Sequence, residues 1–240
     1  MSDPAGRAVV EDGELVLHTD RDKLLRALRY NTRYVAVYAL LVAGLAAGIV
    51  AVAVTGIGRG PTYLLLGFLL VLLVGSLGMG LWLRARVRGF LRVDGPFIVV
   101  SRAGVAVDGI PRIAWGDVLG VIYGDSSENL RTGNGVARWM KNLTYQAGGA
   151  QVFLHVGVRE PKRYRAAASG PLARYVSALD MGLLMHLDTA LDDARLARLR
   201  GALRAATAQA GVRYLETSDT RRMMRAASSM ATGRPMRRDP

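Results

Sequence analysis

The sequence predicts a membrane α-helical hairpin joined to an α+β domain, and three features of its pattern support that prediction. Two uncharged stretches of 25 and 24 residues lie between Arg33 and Arg84, separated only by Arg59. Downstream, short segments alternate apolar and polar residues, which is the period of β-strands with one wet face. One segment near the C-terminus then repeats leucines at the three- and four-residue spacing of a helix.

Each uncharged stretch is long enough to cross a bilayer. An α-helix rises about 1.5 Å per residue, so about 20 apolar residues cross a hydrocarbon core about 30 Å thick. We expect spans at 34–55 and 62–83, within a hairpin at 34–83, and a Gly/Pro-rich turn between them. Neither span holds Asp, Glu, Lys, Arg, His, Asn or Gln. A transporter needs polar groups at membrane depth, so their absence argues against that class.

Basic residues flank the hairpin unevenly. Five precede the first span and four follow the second, whereas the turn carries Arg59 alone. The positive-inside rule therefore predicts a multi-pass protein of the plasma (inner) membrane with both termini in the cytoplasm. The flanking residues are Arg21, Lys23, Arg26, Arg29 and Arg33 before the first span, and Arg84, Arg86, Arg88 and Arg92 after the second.

Residues 1–33 are expected to form a short strand and an amphipathic helix on the cytoplasmic side. The strand-like piece VVEDGELVLH is interrupted at Asp12-Gly13, and Asp20 is placed to cap the helix that follows. One face of this helix is formed by Leu24, Leu25 and Leu28. That face either lies at the membrane interface or packs on the soluble domain, since the pattern is the same in both cases.

Residues 84–216 are predicted to form the cytoplasmic domain. Asp192 and Asp193 favour the start of a helix, and Gly211 favours its end. The following piece, Val212-Arg-Tyr-Leu-Glu, is expected to be extended. Alternating segments with turns between them predict an antiparallel sheet. These segments are FIVVS, VAVD, IPRIAW, DVLGVIY, AQVFLHVGV and GLLMHLDTAL.

The order of these elements resembles the bacterial membrane proteins that carry a pleckstrin-homology-like (PH-like) domain. Two pieces carry the likeness: the turn Arg102-Ala103-Gly104-Val105 and the segment Ile110-Pro-Arg-Ile-Ala-Trp-Gly-Asp-Val, in which Ala114 stands where Pro is usual before Trp115. The resemblance covers about residues 62–211. It implies a bent antiparallel sheet of about seven strands capped by one C-terminal helix. Such a fold is a binding platform more often than an enzyme.

Two polar segments fall outside the predicted core. Residues 124–149 form a long Gly-rich loop, and long loops in compact domains are either functional or disordered. Within it, Arg138, Trp139 and Lys141 place an aromatic ring beside two cations, so they are candidate partner-binding residues. The alternative is that Trp139 folds back onto the sheet. The tail, 217–240, holds six arginines and is expected to be disordered and drawn to lipid or another polyanion.

Gly44 and Gly48 are candidate helix-packing positions in the first span. Small residues four apart let two helix backbones approach closely. The partner helix is either the second span or a helix of another protomer. The second span is the expected one, because it is covalently joined and always present.

The net charge of +13 points to an anionic partner. For a chain anchored in a bilayer the nearest anions are lipid headgroups, so membrane lipids and a protein partner or second copy are expected, and no specific nucleic acid. Each cation near an anionic leaflet contributes about 1 kcal/mol. The candidate headgroup contacts are Arg84, Arg86, Arg88 and Arg92, although the setting of membrane topology explains the same residues.

Little in the sequence predicts catalysis or a cofactor. The chain has no Cys, no phosphate-binding loop and no nucleophile elbow around a serine. His186 and Asp188 share a face of a predicted strand, and His155 joins them if the two strands pair. Zinc sites normally need three or four ligands, so His186 and Asp188 alone are too few for a zinc site. A sheet histidine and a helix-capping acid account for the same residues without any chemistry.

The sequence therefore predicts a non-enzymatic integral membrane protein whose cytoplasmic domain binds lipid headgroups or a protein. A second hypothesis is an accessory or assembly subunit of a larger membrane complex, in which the slim glycine faces meet partner helices. A third is a membrane-bound lipid hydrolase that uses His186, Asp188 and His155.

Overall fold

The computed structural model describes residues 9–11, 14–173, 177–179, 182–231 and 233–236. Asp12-Gly13, where the sequence predicted a break, and residues 237–240 of the predicted tail lie outside the described residues. The α-helices are α1 (Arg21–Thr55), α2 (Gly60–Leu91), α3 (Gly135–Gln146), α4 (Pro161–Ala166), α5 (Asp193–Gln209) and α6 (Thr220–Ala231). The strands are β1 (Val9–Glu11), β2 (Glu14–Leu17), β3 (Ile98–Ser101), β4 (Gly104–Val107), β5 (Ile110–Ala114), β6 (Val118–Asp125), β7 (Val152–Val158), β8 (Ser177–Leu179), β9 (Gly182–His186) and β10 (Tyr214–Thr217).

The two predicted spans lie within longer helices. Asp20 caps α1 as predicted, because its Oδ1 accepts a hydrogen bond from the Lys23 amide at 2.9 Å. The helix ends at Gly56, whose φ of 66° is left-handed, and α2 begins with a proline in its first turn. Both helices are long and apolar enough to cross a membrane, and only 6% of the most apolar window of each is buried inside the protein.

The part of the chain outside the hairpin contains two five-stranded sheets. One has the order β1-β2-β3-β4-β5 and is antiparallel throughout; the other has the order β10-β6-β7-β9-β8, in which only β10 is parallel to its neighbour. The prediction of a helical hairpin plus an α+β fold is therefore confirmed. The resemblance implied about seven strands and one helix, whereas the described residues form ten strands and add α3, α4 and α6 to the capping helix α5.

The inner faces of both sheets and one face of α5 form a single hydrophobic core. Asp192 caps α5, and Leu196, Leu199 and Leu203 turn into the core at the predicted spacing. The extended piece expected after Gly211 is β10. Core positions alternate along β7, where Val152, Leu154, Val156 and Val158 are all buried in this core.

The domain boundaries predicted at 33/34 and 83/84 do not divide the structure, because the ends of the hairpin belong to the main core. Leu24 of α1 and Val87 and Phe90 of α2 are buried there. Strand β2, which precedes the hairpin, pairs with β3, which follows it, so that Leu17 lies opposite Ile98. The leucine face of α1 thus packs on the sheet-bearing domain, although Leu25 itself is exposed.

The expectation of a disordered tail was wrong for its described residues. Helix α6 covers the outer face of the second sheet, with Ala227 and Met230 buried between them. Glycines on two neighbouring strands make room for it: a Cβ at Gly120 would lie 3.0 Å from the Met230 sulfur, and one at Gly157 would clash with it. The missing side chains at Gly120 and Gly157 therefore allow α6 to pack closely on the sheet.

Gly44 and Gly48 do not lie between the hairpin helices, so the expected packing on the second span was wrong. Apart from the chain neighbours and the backbone of the same helix, no described atom lies within 4 Å of a Cβ built at either position. The close approach occurs instead at Gly80, where a Cβ would lie 2.7 Å from the ring of Tyr34. The small residues of α1 indicated that a helix could approach closely, but they did not indicate which side of α1 faces α2.

Candidate functional site

A buried asparagine joins three helices where the hairpin meets the domain. The Asn31 side chain is fully buried, and its Nδ2 donates to the Gly80 carbonyl at 2.9 Å and to the Ala147 carbonyl at 3.1 Å. These acceptors belong to α2 and to the cap of α3. Because Asn31 precedes the first apolar stretch by one turn, α3 is fixed at the level where that stretch begins.

An aromatic cluster extends this junction. Tyr34 and Tyr38 stack with ring centroids 4.5 Å apart and are buried against Leu83 and Ala147. Leu143 of α3 packs on the same cluster. The C-terminal half of α3 is therefore anchored on the hairpin, beside the first turn of its apolar part.

The rest of α3 presents an apolar face to the outside. Val136, Trp139 and Met140 are 70%, 62% and 41% exposed. With Leu143 they are spaced i, i+3, i+4 and i+7, which is one stripe of a helix. We call Val136, Trp139 and Met140 the α3 face. The alternative in which Trp139 folds back onto the sheet is wrong.

The candidate partner-binding residues divide between surface and scaffold. Trp139 and Arg138 are exposed on α3. Lys141 is also exposed, but its Nζ donates to the carbonyls of Asn129 at 3.1 Å and Thr132 at 3.3 Å. Lys141 therefore holds the turn that precedes the helix, whereas Trp139 and Arg138 stay available to a partner.

Helix α3 itself was missed at the sequence level, although two signals for it are present. Asn134 caps it, accepting a hydrogen bond from the Ala137 amide at 2.9 Å. The apolar stripe that begins at Val136 then runs for two turns. The many Gly and polar residues of 124–149 obscured both signals, because they are typical of loops.

The four arginines that follow the second apolar stretch have different environments. Arg88 and Arg92 are exposed, and Arg84 is half-buried. Arg86 is only 3% exposed: its Nη2 donates to Thr189 Oγ1, and its guanidinium lies 5.3 Å from the Trp82 ring centroid. The prediction that Arg86 contacts headgroups was therefore wrong, since it joins α2 to the segment between β9 and α5.

The His186–Asp188 pair is not assembled as an acid–base site. Burial, followed by the charge of Arg86, lowers the pKa of His186 to about 4, so the imidazole is neutral near pH 7. No hydrogen bond joins His186 to Asp188, whose Oδ2 accepts instead from the Gln151 amide at 2.8 Å. His155 is buried on β7 opposite Leu184. Within the described part of the chain no three His, Cys, Asp or Glu side chains are grouped to hold a metal ion.

Comparison with protein-family models, with curated proteins and with solved structures found no match to this chain. The likeness to PH-like membrane proteins therefore stays a prediction. What bears on function is the molecule itself: a long apolar hairpin, a domain built onto its base, and an exposed apolar helix face beside it.

Proposed function

We propose that this protein is an integral membrane protein whose PH-like cytoplasmic domain is a non-enzymatic binding module held against the bilayer surface. The observation that supports this most is the continuity of α1 and α2 with the core of the domain through Leu24, Val87 and Phe90. Helices, rather than a flexible linker, join the hairpin to the domain. The domain is thus fixed at a set height from any bilayer that the hairpin crosses.

The distribution of charge supports the orientation. Basic residues cluster at the base of the hairpin, where the domain lies, and the distal turn carries only Arg59. By the positive-inside rule the domain and both termini face the cytoplasm of a plasma (inner) membrane. Arg88 and Arg92 are exposed on this side and remain candidate headgroup contacts.

The α3 face is the surface that we assign to binding. Tryptophan at the boundary between hydrocarbon and headgroups is typical of membrane proteins. Trp139 lies on α3, and Leu143 of the same helix contacts the hairpin at the start of its apolar stretch. The α3 face therefore lies beside the apolar surface of the hairpin. Arg138 beside it supplies a cation for an anionic headgroup.

A nitroxide attached to α3 is expected to report an interfacial position. The chain has no cysteine, so Val136→Cys in the full-length protein gives one labelling site. In bilayer nanodiscs this label should be shielded from a water-soluble relaxing agent and accessible to oxygen. The measurement is the ratio of the two accessibilities by electron paramagnetic resonance.

Matched labels calibrate the depth. Asp22→Cys lies on α1 about 18 Å below Tyr34 by helix rise and should report water. Leu40→Cys, exposed on the apolar part of the same helix, should report hydrocarbon. If the label at 136 is as accessible to water as the label at 22, the α3 face does not rest on lipid.

A second candidate is an accessory subunit of a larger membrane complex. It is favoured by Gly44 and Gly48, which lie on an exposed side of α1 with open space beside each. Small residues four apart are where the helix of another chain packs closely. A protein that co-purifies from native membranes with the wild type, and is lost with Gly44→Leu, would support this candidate; unchanged composition would oppose it.

A further inference from the structure

A cavity of about 440 Å³ lies beside the first turns of α1. Its volume falls within the range of about 300–1,000 Å³ that small-molecule sites occupy. The first three turns of α1 form one wall, and the end of α3 and the segment between β9 and α5 form the others. Its polar lining includes Asp20, Lys23, Arg26, Tyr30, Tyr145 and Asp188.

Two of the acids at this cavity are already paired within the protein. Asp20 caps α1, and its Oδ2 lies 3.5 Å from Arg195 Nη1. Asp192 caps α5, accepting from the Arg195 amide and from Arg195 Nη1, both at 2.7 Å. These carboxylates hold helix ends together and need no ligand.

Asp188 differs, because it is 2% exposed and only half satisfied. Its Oδ2 accepts from the Gln151 amide, but its Oδ1 has no hydrogen-bond partner among the described residues. Burial, followed by the charge of this carboxylate and a side-chain hydrogen bond with it, raises the pKa of Tyr145. A buried acceptor without a donor costs about 1–3 kcal/mol, which makes it a place where a ligand's donor belongs.

The electrostatics of Asp188 favour a cation. Burial raises its pKa even though the backbone amides of Gln151 and Val152 and the charges of Lys23 and Arg86 favour the ionised form. A primary ammonium fits the vacancy in hydrogen bonding because it is a cation with three N–H donors. A divalent metal ion is not favoured, because no three His, Cys, Asp or Glu side chains of the described residues are grouped to hold one.

The opposite end of the cavity is basic and faces the hairpin. Lys23 is held in place, since its Nζ donates to the Leu191 carbonyl at 2.8 Å. Arg26 is exposed, and guanidinium groups bind phosphate through two parallel hydrogen bonds. Tyr30, at the mouth, precedes Tyr34 by about 6 Å of helix rise. The headgroup layer is about 5–8 Å thick on each side of a bilayer, so the mouth lies within it, whereas Arg26, about 12 Å below Tyr34 by helix rise, lies beyond it on the water side.

We propose that this cavity binds the phosphoethanolamine headgroup of a membrane lipid, with the ammonium at Asp188 and the phosphate at Arg26. This inference rests on the proposed placement of the domain against the bilayer. A lipid is favoured over a soluble amine because the cavity runs along α1 towards the apolar stretch, where acyl chains lie beside the helix.

The wild-type protein alone tests the inference. Full-length protein is exchanged into micelles with equal amounts of phosphatidylethanolamine, its mono- and dimethyl derivatives and phosphatidylcholine, all with the same acyl chains. Native mass spectrometry then measures the retained lipid. We expect at least about tenfold more phosphatidylethanolamine than phosphatidylcholine, with a decrease for each added methyl group, because each removes an N–H donor.

Two results would overturn the inference. One is equal retention of phosphatidylethanolamine and phosphatidylcholine. The other is a soluble analogue, glycerophosphoethanolamine, that raises the melting temperature as much as the lipid does, because the ligand is then not a membrane lipid.

Variants locate the site. Asp188→Asn keeps the size of the side chain and removes its charge, so it should abolish the preference, whereas Asp193→Asn, at an exposed acid beside the same cavity, should retain it. Equal loss in both variants contradicts a role for the buried carboxylate. If Asp188→Asn fails to fold, the methylation series still decides.

The outcome can be separated from that of the proposed function. A label at 136 that reports the interface, together with no headgroup preference, removes only the lipid site. A label at 136 that reports water removes the placement of the domain on which both depend.

Discussion

Replacing Gly80 by leucine is expected to force the two hairpin helices apart and to destabilise the protein by about 2–4 kcal/mol. A Cβ at this position would lie 2.7 and 2.8 Å from two ring atoms of Tyr34 and 3.1 Å from Val35 Cγ2. Tyr34 cannot move aside easily, because its ring is buried and stacked on Tyr38. The Gly80 carbonyl also accepts a hydrogen bond from Asn31, which would be lost if the backbones separated.

Gly78→Leu is the matched control for this change. It adds the same side chain two residues earlier on the same helix, where no described atom outside the adjacent backbone of that helix lies within 4 Å of a Cβ. Both changes gain about 1 kcal/mol of helix propensity, so the difference between them isolates the contact. Thermal unfolding of both full-length variants in the same nanodiscs measures it. Equal melting temperatures would show that the helices do not meet closely at Gly80.

Replacing Arg86 by methionine is expected to cost about 2–4 kcal/mol, far more than the same change at a surface arginine. The guanidinium is buried, donates to Thr189 and lies over the ring of Trp82. Methionine fills similar space but supplies neither the charge nor the donors. Because the charge of Arg86 lowers the pKa of His186 and favours ionised Asp188, the variant should also raise both pKa values.

Arg88→Met provides the comparison, since Arg88 is exposed two residues further along α2. Its stability should stay within about 0.5 kcal/mol of the wild type. Unfolding by heat in detergent, with the His186 pKa followed by nuclear magnetic resonance, gives both readouts. If Arg86→Met weakens lipid association instead, while stability and the His186 pKa are unchanged, Arg86 acts as a headgroup contact after all.

The sequence predicted best those features that depend on local or absolute physical limits. The two apolar stretches form long helices that are apolar enough to cross a membrane, and their length alone predicted this without tertiary information. The caps at Asp20 and Asp192 follow from amides that every helix start leaves unpaired. Strands such as β7 were evident because alternation has a period of two.

What the sequence did not reveal depends on distant partners. Arg86 and Arg88 look alike in the chain, and only the approach of Thr189, 103 residues away from Arg86, buries one of them. Asp188 was grouped with His186 by strand alternation, but β9 ends at His186 and the carboxylate turns to Gln151 instead. Helices α3 and α6 are short, so they depend on packing against the rest of the protein, and their apolar stripes alone were too brief to predict them.

A soluble fragment that begins at Phe97 would not preserve this fold. It would remove β2, whose Leu17 pairs with Ile98, and would expose the edge of the first sheet. It would also remove Leu24, Val87 and Phe90 from the core. Binding studies on this protein therefore need the hairpin and the domain together.

Both long helices continue without a break into the core, so the hairpin and the domain should move as one rigid unit. A bilayer thinner than the apolar stretches is accommodated by tilting the helices. Since the ends of both helices are packed in the core of the domain, the whole sheet-bearing half would swing through the same angle, carrying Trp139 and Arg26 towards or away from the lipid surface. The local thickness of the membrane would in this way set the depth at which the domain lies in the lipid surface.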